Sequence, residues 1–337
     1  SAISPDLTGN EAEKQGPGGA PITNEAAGAE TYGTLAAFEP CPHDPDTLWA
    51  GSDDGLVHVT RDSGATWRNV TPPDVGEALV NAIDASPHVA GTVYVAITRY
   101  KFGDLTPHVF VTNDWGATWK RRVDGLSDEA YVRVVREDPE RRGLLYAGTE
   151  AGVLASLDDG RRWFSLQLDL PNVPATDLEI RPDGDLVAAT QGRAFWILDD
   201  VSPLRQLAPE HLDAGLVLFA PREAVHFGSG GGFAPPGRGA NPPAGVAVHY
   251  WVGADFEGPV ALEVRDGAGT LVRRFSAEDG ETDRLDAEPG LRRAMWDLRT
   301  ENVADVPGQF LFGSRAGYRV APGNYTVTLS TDGGAAT

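Results

Sequence analysis

TRDSGATW at residues 60–67, TNDWGATW at 112–119 and SLDDGRRW at 156–163 are three spellings of one eight-residue box. The shared pattern is Ser/Thr-x-Asp-x-Gly-x-Thr-Trp, and a repeat of this kind sets the architecture of the chain that carries it. Asp62, Asp114 and Asp158 can each accept hydrogen bonds from backbone N–H groups in a tight hairpin loop. Gly64, Gly116 and Gly160 supply the positive φ that such a loop needs. Trp67, Trp119 and Trp163 are then expected to fold back between neighbouring strands as large, mostly buried apolar plugs. The third copy carries Arg162 where threonine is expected.

Working outward, each box closes a longer β-rich unit. WAGSDDGLVHVT (49–60), YVAITRY with HVFVT (94–100, 108–112) and YAGTEAGVLAS (146–156) precede the three boxes. LVAATQGRAFWILDD (186–200) is a fourth copy with no full box after it. Further upstream lie alternating segments ending at proline turns, TLAAFEPCPHDP, VNAIDASPH, VRVVREDPERRG and TDLEIRPDGD. One unit reads strand, Pro turn, strand, Gly turn, strand, box, strand, which predicts a four-stranded antiparallel sheet. Units are expected at about 34–72, 78–124, 130–170 and 174–200, the last incomplete. Asp62 and Asp114 are 52 residues apart and Asp114 and Asp158 are 44 apart, so the second unit holds an insertion around Tyr100–Pro107.

After residue 200 the pattern changes. Residues 228–245 are Gly/Pro-rich and read as a loop or linker. Short alternating strands with Asp-Gly and Gly-Ala-Gly turns follow, predicting a second, smaller β-sandwich over 215–337. Residues 1–31 read as an extended segment, and 32–214 as the repeat domain. No helix longer than two turns is expected, although SDEAYVRVV and SPLRQLAPEHLDAG can each hold a short one.

Composition excludes several classes. The chain has 337 residues, enough for two domains with real cores. Its formal charge of −21, from 28 basic and 49 acidic residues, argues against nucleic acid, which basic side chains bind. It suits docking onto a basic partner. No apolar run approaches the length that spans a bilayer. Cys41 is the only cysteine, so no intrachain disulfide or thiolate cluster forms, and its place between Pro40 and Pro42 reads as a half-buried turn. The chain starts at Ser1 with Met295 as its sole methionine, from which an upstream piece and an exported origin are expected.

Together, ISPDLT, GPGGAPITNEAAGAETYGT, WAGSDDGLVHVTRDSGATWRNVTPP, VRVVREDPERRGLLYAGTE and VAATQGRAFWILDD resemble a group of large exported bacterial proteins. These are the sortilin-like or BNR-repeat (Asp-box) proteins, often labelled glycosyl hydrolases. The resemblance covers the chain strongly to about residue 227. It implies an all-β fold, a partial Asp-box β-propeller of about four blades followed by a small Ig-like β-sandwich, and a periplasmic or secreted location. The box itself lies on the blade rim in sialidases and xyloglucanases, so it marks fold rather than chemistry.

A glycosidase needs two carboxylates facing one cleft. Asp84, Asp138 and Glu179 lie in or beside the expected inner strands and are the candidate catalytic residues; their plainer reading is solvated or turn-capping carboxylates. Arg99, Arg133 and Arg193 come from three units and are candidates to hold a substrate carboxylate, against the plainer reading of salt bridges between blades. The histidines at 43, 58, 88, 108, 211, 226 and 249 show no ligand spacing. His43 and His88 occupy equivalent Pro turns. The loops Ser52–Asp53–Asp54 and Asp158–Asp159–Gly160 lack calcium-loop spacing, and Gly228–Gly232 lacks the Lys-Ser/Thr of a phosphate loop. No metal or cofactor is expected. The reading favoured is a non-enzymatic extracytoplasmic interaction or scaffold module, an accessory subunit that can associate peripherally with a membrane complex through a basic protein partner. The alternative is an Asp-box glycoside hydrolase, sialidase- or xyloglucanase-like. The Pro107 insertion and the 228–245 loop are the expected contact loops.

Overall fold

The computed structural model describes residues 3–15, 32–225, 241, 243–276, 284–303, 308, 315–331 and 334–336. Most of the 228–245 loop, His226 and residues 16–31 lie outside this set. The described chain is all-β apart from short helical turns and divides into two compact units, Ser1–Val201 and Ser202–Thr337.

The first unit is built from successive antiparallel sheets in chain order. The first sheet holds β1 (Leu35–Pro40), β2 (Leu48–Ser52), β3 (Val57–Thr60) and β4 (Arg68–Asn69). The second holds β5 (Leu79–Ala85), β6 (Val93–Arg99), β7 (Asp104–Thr112) and β8 (Lys120–Arg121). The third holds β9 (Val132–Glu137), β10 (Leu145–Thr149), β11 (Gly152–Ser156) and β12 (Phe164–Ser165). The fourth has three strands, β13 (Ala175–Ile180), β14 (Leu186–Thr190) and β15 (Phe195–Leu198). The sheets stack through their leading strands, β1 on β5, β5 on β9 and β9 on β13.

Apolar side chains alternate along these strands and fill the space between sheets. Trp49, Val57 and Val59 of the first sheet pack against Val80, Ile83, Val93 and Val95 of the second. Glycine is required at one of these contacts: a Cβ at Gly51 would stand 2.3 Å from Val80. Two expectations change. SDEA is a turn leading directly into β9, because Val132–Glu137 completes the ladder with β10. The Tyr100–Pro107 insertion is a lengthened hairpin in which Arg99 pairs with Asp104, closed by a 3₁₀ turn at Tyr100–Phe102 with Gly103 at φ 75°.

The second unit begins with short helices α1 (Ser202–Gln206) and α2 (Pro209–Leu212). One sheet joins β16 (Leu216–Leu218), β17 (Val246–Val252) and β20 (Gly290–Trp296). The other joins β18 (Ala261–Arg265), β19 (Leu271–Ser276), β21 (Thr326–Thr331) and β22 (Gly334–Ala336). Val248, Tyr250, Leu262, Phe275, Trp296 and Leu329 form one buried core from both.

Candidate functional site

The boxes are built from the same hydrogen bonds three times. Asp62 accepts the Thr66 N–H at 2.8 Å and the hydroxyls of Thr60 and Thr66 at 2.8 and 2.6 Å. Asp114 accepts the same set from Thr118 and Thr112 at the same distances. Asp158 accepts the Arg162 N–H and the Ser156 hydroxyl, both at 2.9 Å, and lacks the hydroxyl that residue 162 would otherwise provide. The Thr118 and Thr112 donors hold the Asp114 carboxyl down at about 2. The first Ser/Thr of each box also accepts the glycine N–H, as Thr112 does from Gly116 at 2.9 Å. Ser63, Trp115 and Asp159 join the glycines in the left-handed region, each donating its N–H across the hairpin to Asp46, Gly91 or Gly143.

Two side chains tie each sheet to its neighbours. The Trp119 indole N–H donates to the Val70 carbonyl at 2.7 Å and that of Trp163 to Arg122 at 3.2 Å. Val70 and Arg122 each follow the preceding box tryptophan by three residues. Trp67 makes the equivalent bond to Ile3 at 3.1 Å, so Ile3 stands where the outer strand of a preceding unit would end. At the proline turns, His43 Nε2 contacts the Ser86 carbonyl at 3.1 Å and His88 Nε2 the Asp138 carbonyl at 2.7 Å. The three tryptophans differ in burial: Trp163 is 3 % exposed, while Trp67 and Trp119 are half-buried. The backbone N–H of Trp163 also donates to the Asp124 carbonyl at 2.9 Å.

The leading strands bring together a charged column. Glu39, Asp84, Arg136 and Glu179 each stand three residues before a turn proline, on β1, β5, β9 and β13. Each lies opposite a side chain of the second strand, Trp49, Tyr94, Tyr146 and Val187 respectively. Asp84 accepts the Glu137 N–H at 2.8 Å and lies 3.9 Å from Arg136. Arg136 reaches onward to Asp177 at 3.0 Å and the Leu178 carbonyl at 3.3 Å. Burial pushes the Asp84 carboxyl up to about 7 despite the guanidinium; burial also raises Glu39. Of the candidate carboxylates, Asp84 and Glu179 share this column, with Arg136 on the strand between them. Asp138 belongs to the turn: it accepts the Glu140 and Arg141 N–H groups at 2.9 Å, as Ser86 accepts those of His88 and Val89 in the second sheet.

The candidate arginines have separate partners. Arg99 pairs with Asp104 at 3.6 Å and Arg133 with Glu150 at 2.9 Å, while Arg193 is exposed in the β14–β15 hairpin. Arg133 also lies over Tyr131 and Tyr100, which stack with centroids 5.0 Å apart. Asp53 accepts the Gly33 and Thr34 N–H groups, and among the described residues no group of three His, Cys, Asp or Glu is arranged to hold a metal ion.

What sequence reasoning passed over is the pair of open faces. Ile83, Val135 and Leu178 occupy one repeat position and are 4 %, 0 % and 2 % exposed, each covered by the preceding sheet, whereas Phe38 at that position is 53 % exposed. At the other end, Phe195 and Ile197 are 74 % and 56 % exposed. Their signal was present in FWIL, an apolar strand with no box after it.

No family model matches the chain, and no curated protein matches it. Among solved structures it is similar to YCF48 bound to a D1 peptide, at 18 % identity over 49 % of this chain and 51 % of that one, with a TM-score of 0.37. It is similar to an ancestral GH74 enzyme at 14 % identity over 76 % of this chain and 34 % of that one, TM-score 0.41. The GH74 xyloglucanase from Xanthomonas campestris matches at 18 % identity over 84 % of this chain and 34 % of that one, TM-score 0.37. The match thus spans about half the length of the YCF48 chain and a third of the GH74 chains. At these values the architecture rests on the chain's own ladders. Among the described residues no helix is long and apolar enough to cross a membrane.

Proposed function

We propose that this chain is a non-enzymatic, extracytoplasmic protein-interaction module. Its first unit is a partial Asp-box β-propeller of about four blades, the last incomplete, and its second an Ig-like β-sandwich. The observation that carries the reading is the uncovering of blade-packing positions at both ends: Phe38 at one, Phe195 and Ile197 at the other. Exposed apolar surface of this kind marks an interaction site. The acidic balance of −21 favours a basic partner, with association that weakens as salt screens it.

One observation favours a second reading, the Asp-box glycoside hydrolase. An acid held up to about 7 at Asp84 is suited to general acid work, and Glu179 shares its column. The test pairs affinity capture by the wild-type chain and by Phe38→Glu with a hydrolysis screen on sialosides and β-glucans. The module reading expects a stoichiometric partner lost with Phe38→Glu and no turnover. Hydrolysis abolished by Asp84→Asn would replace it with the enzyme.

A further inference from the structure

We infer that β15 is an open docking edge that takes an extended, basic strand from a partner protein, which becomes the fourth strand of the incomplete sheet. This rests on the interaction-module reading and names its site and the chemistry of its partner.

The repeat supplies the register. In the first three sheets the outward carbonyls of Val57, Val109 and Val153 accept the N–H groups of Val70, Arg122 and Leu166 at 2.8, 2.8 and 2.9 Å. Each acceptor stands three residues before the end of its strand, at Thr60, Thr112 and Ser156. Phe195 holds that position relative to Leu198 in the fourth sheet. Its partner on the inner side, β14, is present, and among the described residues no strand lies on its outer side.

The edge carries none of the usual protections. Natural edge strands are blunted by charge, proline or a bulge, but Phe195–Leu198 is FWIL with an unbroken register to β14. Phe195 and Ile197 point to the face turned away from the third sheet, opposite Ala189 and Val187. An added strand would pair with the outward backbone groups and place side chains beside both, giving backbone bonds for affinity and side-chain contacts for selectivity.

Charge decides the kind of strand. The fourth strands that this chain makes for itself include Arg68–Asn69 and Lys120–Arg121. Glu179 is exposed on β13 across the same sheet, Asp177 beside it is paired with Arg136, and at the edge itself Arg193 precedes β15 while Asp199 and Asp200 follow it directly. A basic strand is therefore drawn to a chain of net charge −21, whereas an acidic strand is repelled.

The probe is a fluorescent peptide TWKRRV, the sequence of residues 118–123, titrated into the full chain by anisotropy. Saturable binding is expected, at least tenfold weaker for TWEEEV, for Ile197→Pro and for a peptide N-methylated at the residue aligned with Arg122. Because Ile197→Pro can perturb the sheet, Ile197→Lys serves as a second variant: it leaves the backbone edge intact and is expected to weaken the basic peptide through charge. No binding, indifference to N-methylation, or equal affinity for TWEEEV would overturn the inference. So would slow amide exchange at Phe195 and Ile197 in the free monomer, or concentration-dependent dimers abolished by Ile197→Pro, which would assign the edge to a second copy. If the peptide fails while Phe38→Glu still loses a captured partner, the docking edge falls and the interaction module stands.

Discussion

Replacing Trp163 by alanine tests the inter-sheet plugs at their most buried member. The indole is 3 % exposed and its N–H donates to the Arg122 carbonyl at 3.2 Å. Removing it leaves a cavity between the second and third sheets, and Trp→Ala deletions of this kind cost about 3–5 kcal/mol. Of that, about 0.5–1.5 kcal/mol belongs to the hydrogen bond. Trp163→Phe removes the donor but keeps a ring, so about 1–2 kcal/mol is expected for it. Trp67 donates its indole N–H to the Ile3 carbonyl and is half-buried, so Trp67→Ala is expected to cost about 1–2 kcal/mol, in line with partial burial. Trp119, half-buried but packed against the core of the first two sheets, should fall between. Urea unfolding of the full chain followed by circular dichroism gives the differences from shifted midpoints at unchanged slope. Equal losses at all three tryptophans, or a loss at Trp67 matching that at Trp163, would refute the view that this hydrogen bond and burial together set the cost.

Other expectations follow from single positions. Gly116 has φ 77° and a Cβ there would stand 2.6 Å from Val70, while Gly103 has φ 75° with nothing within 4 Å. Gly103→Ala should cost only the conformational strain of about 1–2 kcal/mol, and Gly116→Ala clearly more, read from urea midpoints. Asp84 is raised from 3.8 to about 7 by burial, so the folded chain holds this proton more tightly than the unfolded one. Its contribution is complete below 3.8 and is lost as pH rises through about 7; Asp84→Asn should flatten stability over that window. Asp114, held at about 2 by Thr118 and Thr112, has the opposite sign: its contribution is present above 3.8 and lost as pH falls toward about 2, which Asp114→Asn should remove from an acid titration. Arg136→Met removes the cation 3.9 Å from Asp84 and the exposed pair with Asp177; the exposed pair should contribute no more than about 1 kcal/mol, and any coupling to Asp84 should appear in a double-mutant cycle with Asp84→Asn above about pH 7.

Much of the first unit was legible as sequence because its signals are local. The box is a short loop whose aspartate, hydroxyls and glycine satisfy one another within eight residues, so this part of its geometry is local. The strands could be read from alternation and from proline turns, and the missing outer strand of the fourth sheet from the missing box. Asp138 shows where this stops: a carboxylate before a proline reads alike as catalytic candidate or turn cap, and its bonds from the N–H groups of Glu140 and Arg141 are seen only in the folded turn. The charged column was spelled out three residues before each turn proline, yet its consequence, an Asp84 carboxyl raised beside Arg136, exists only once β5 and β9 are stacked. Burial was the last thing to be decided. Phe38, Ile83, Val135 and Leu178 are equivalent in the repeat and similarly apolar, and nothing in their own neighbourhoods separates them. The last three are covered because a preceding sheet lies against them, and Phe38 is open because among the described residues none lies against it, since burial belongs to the packing of sheets and not to the residue that is buried.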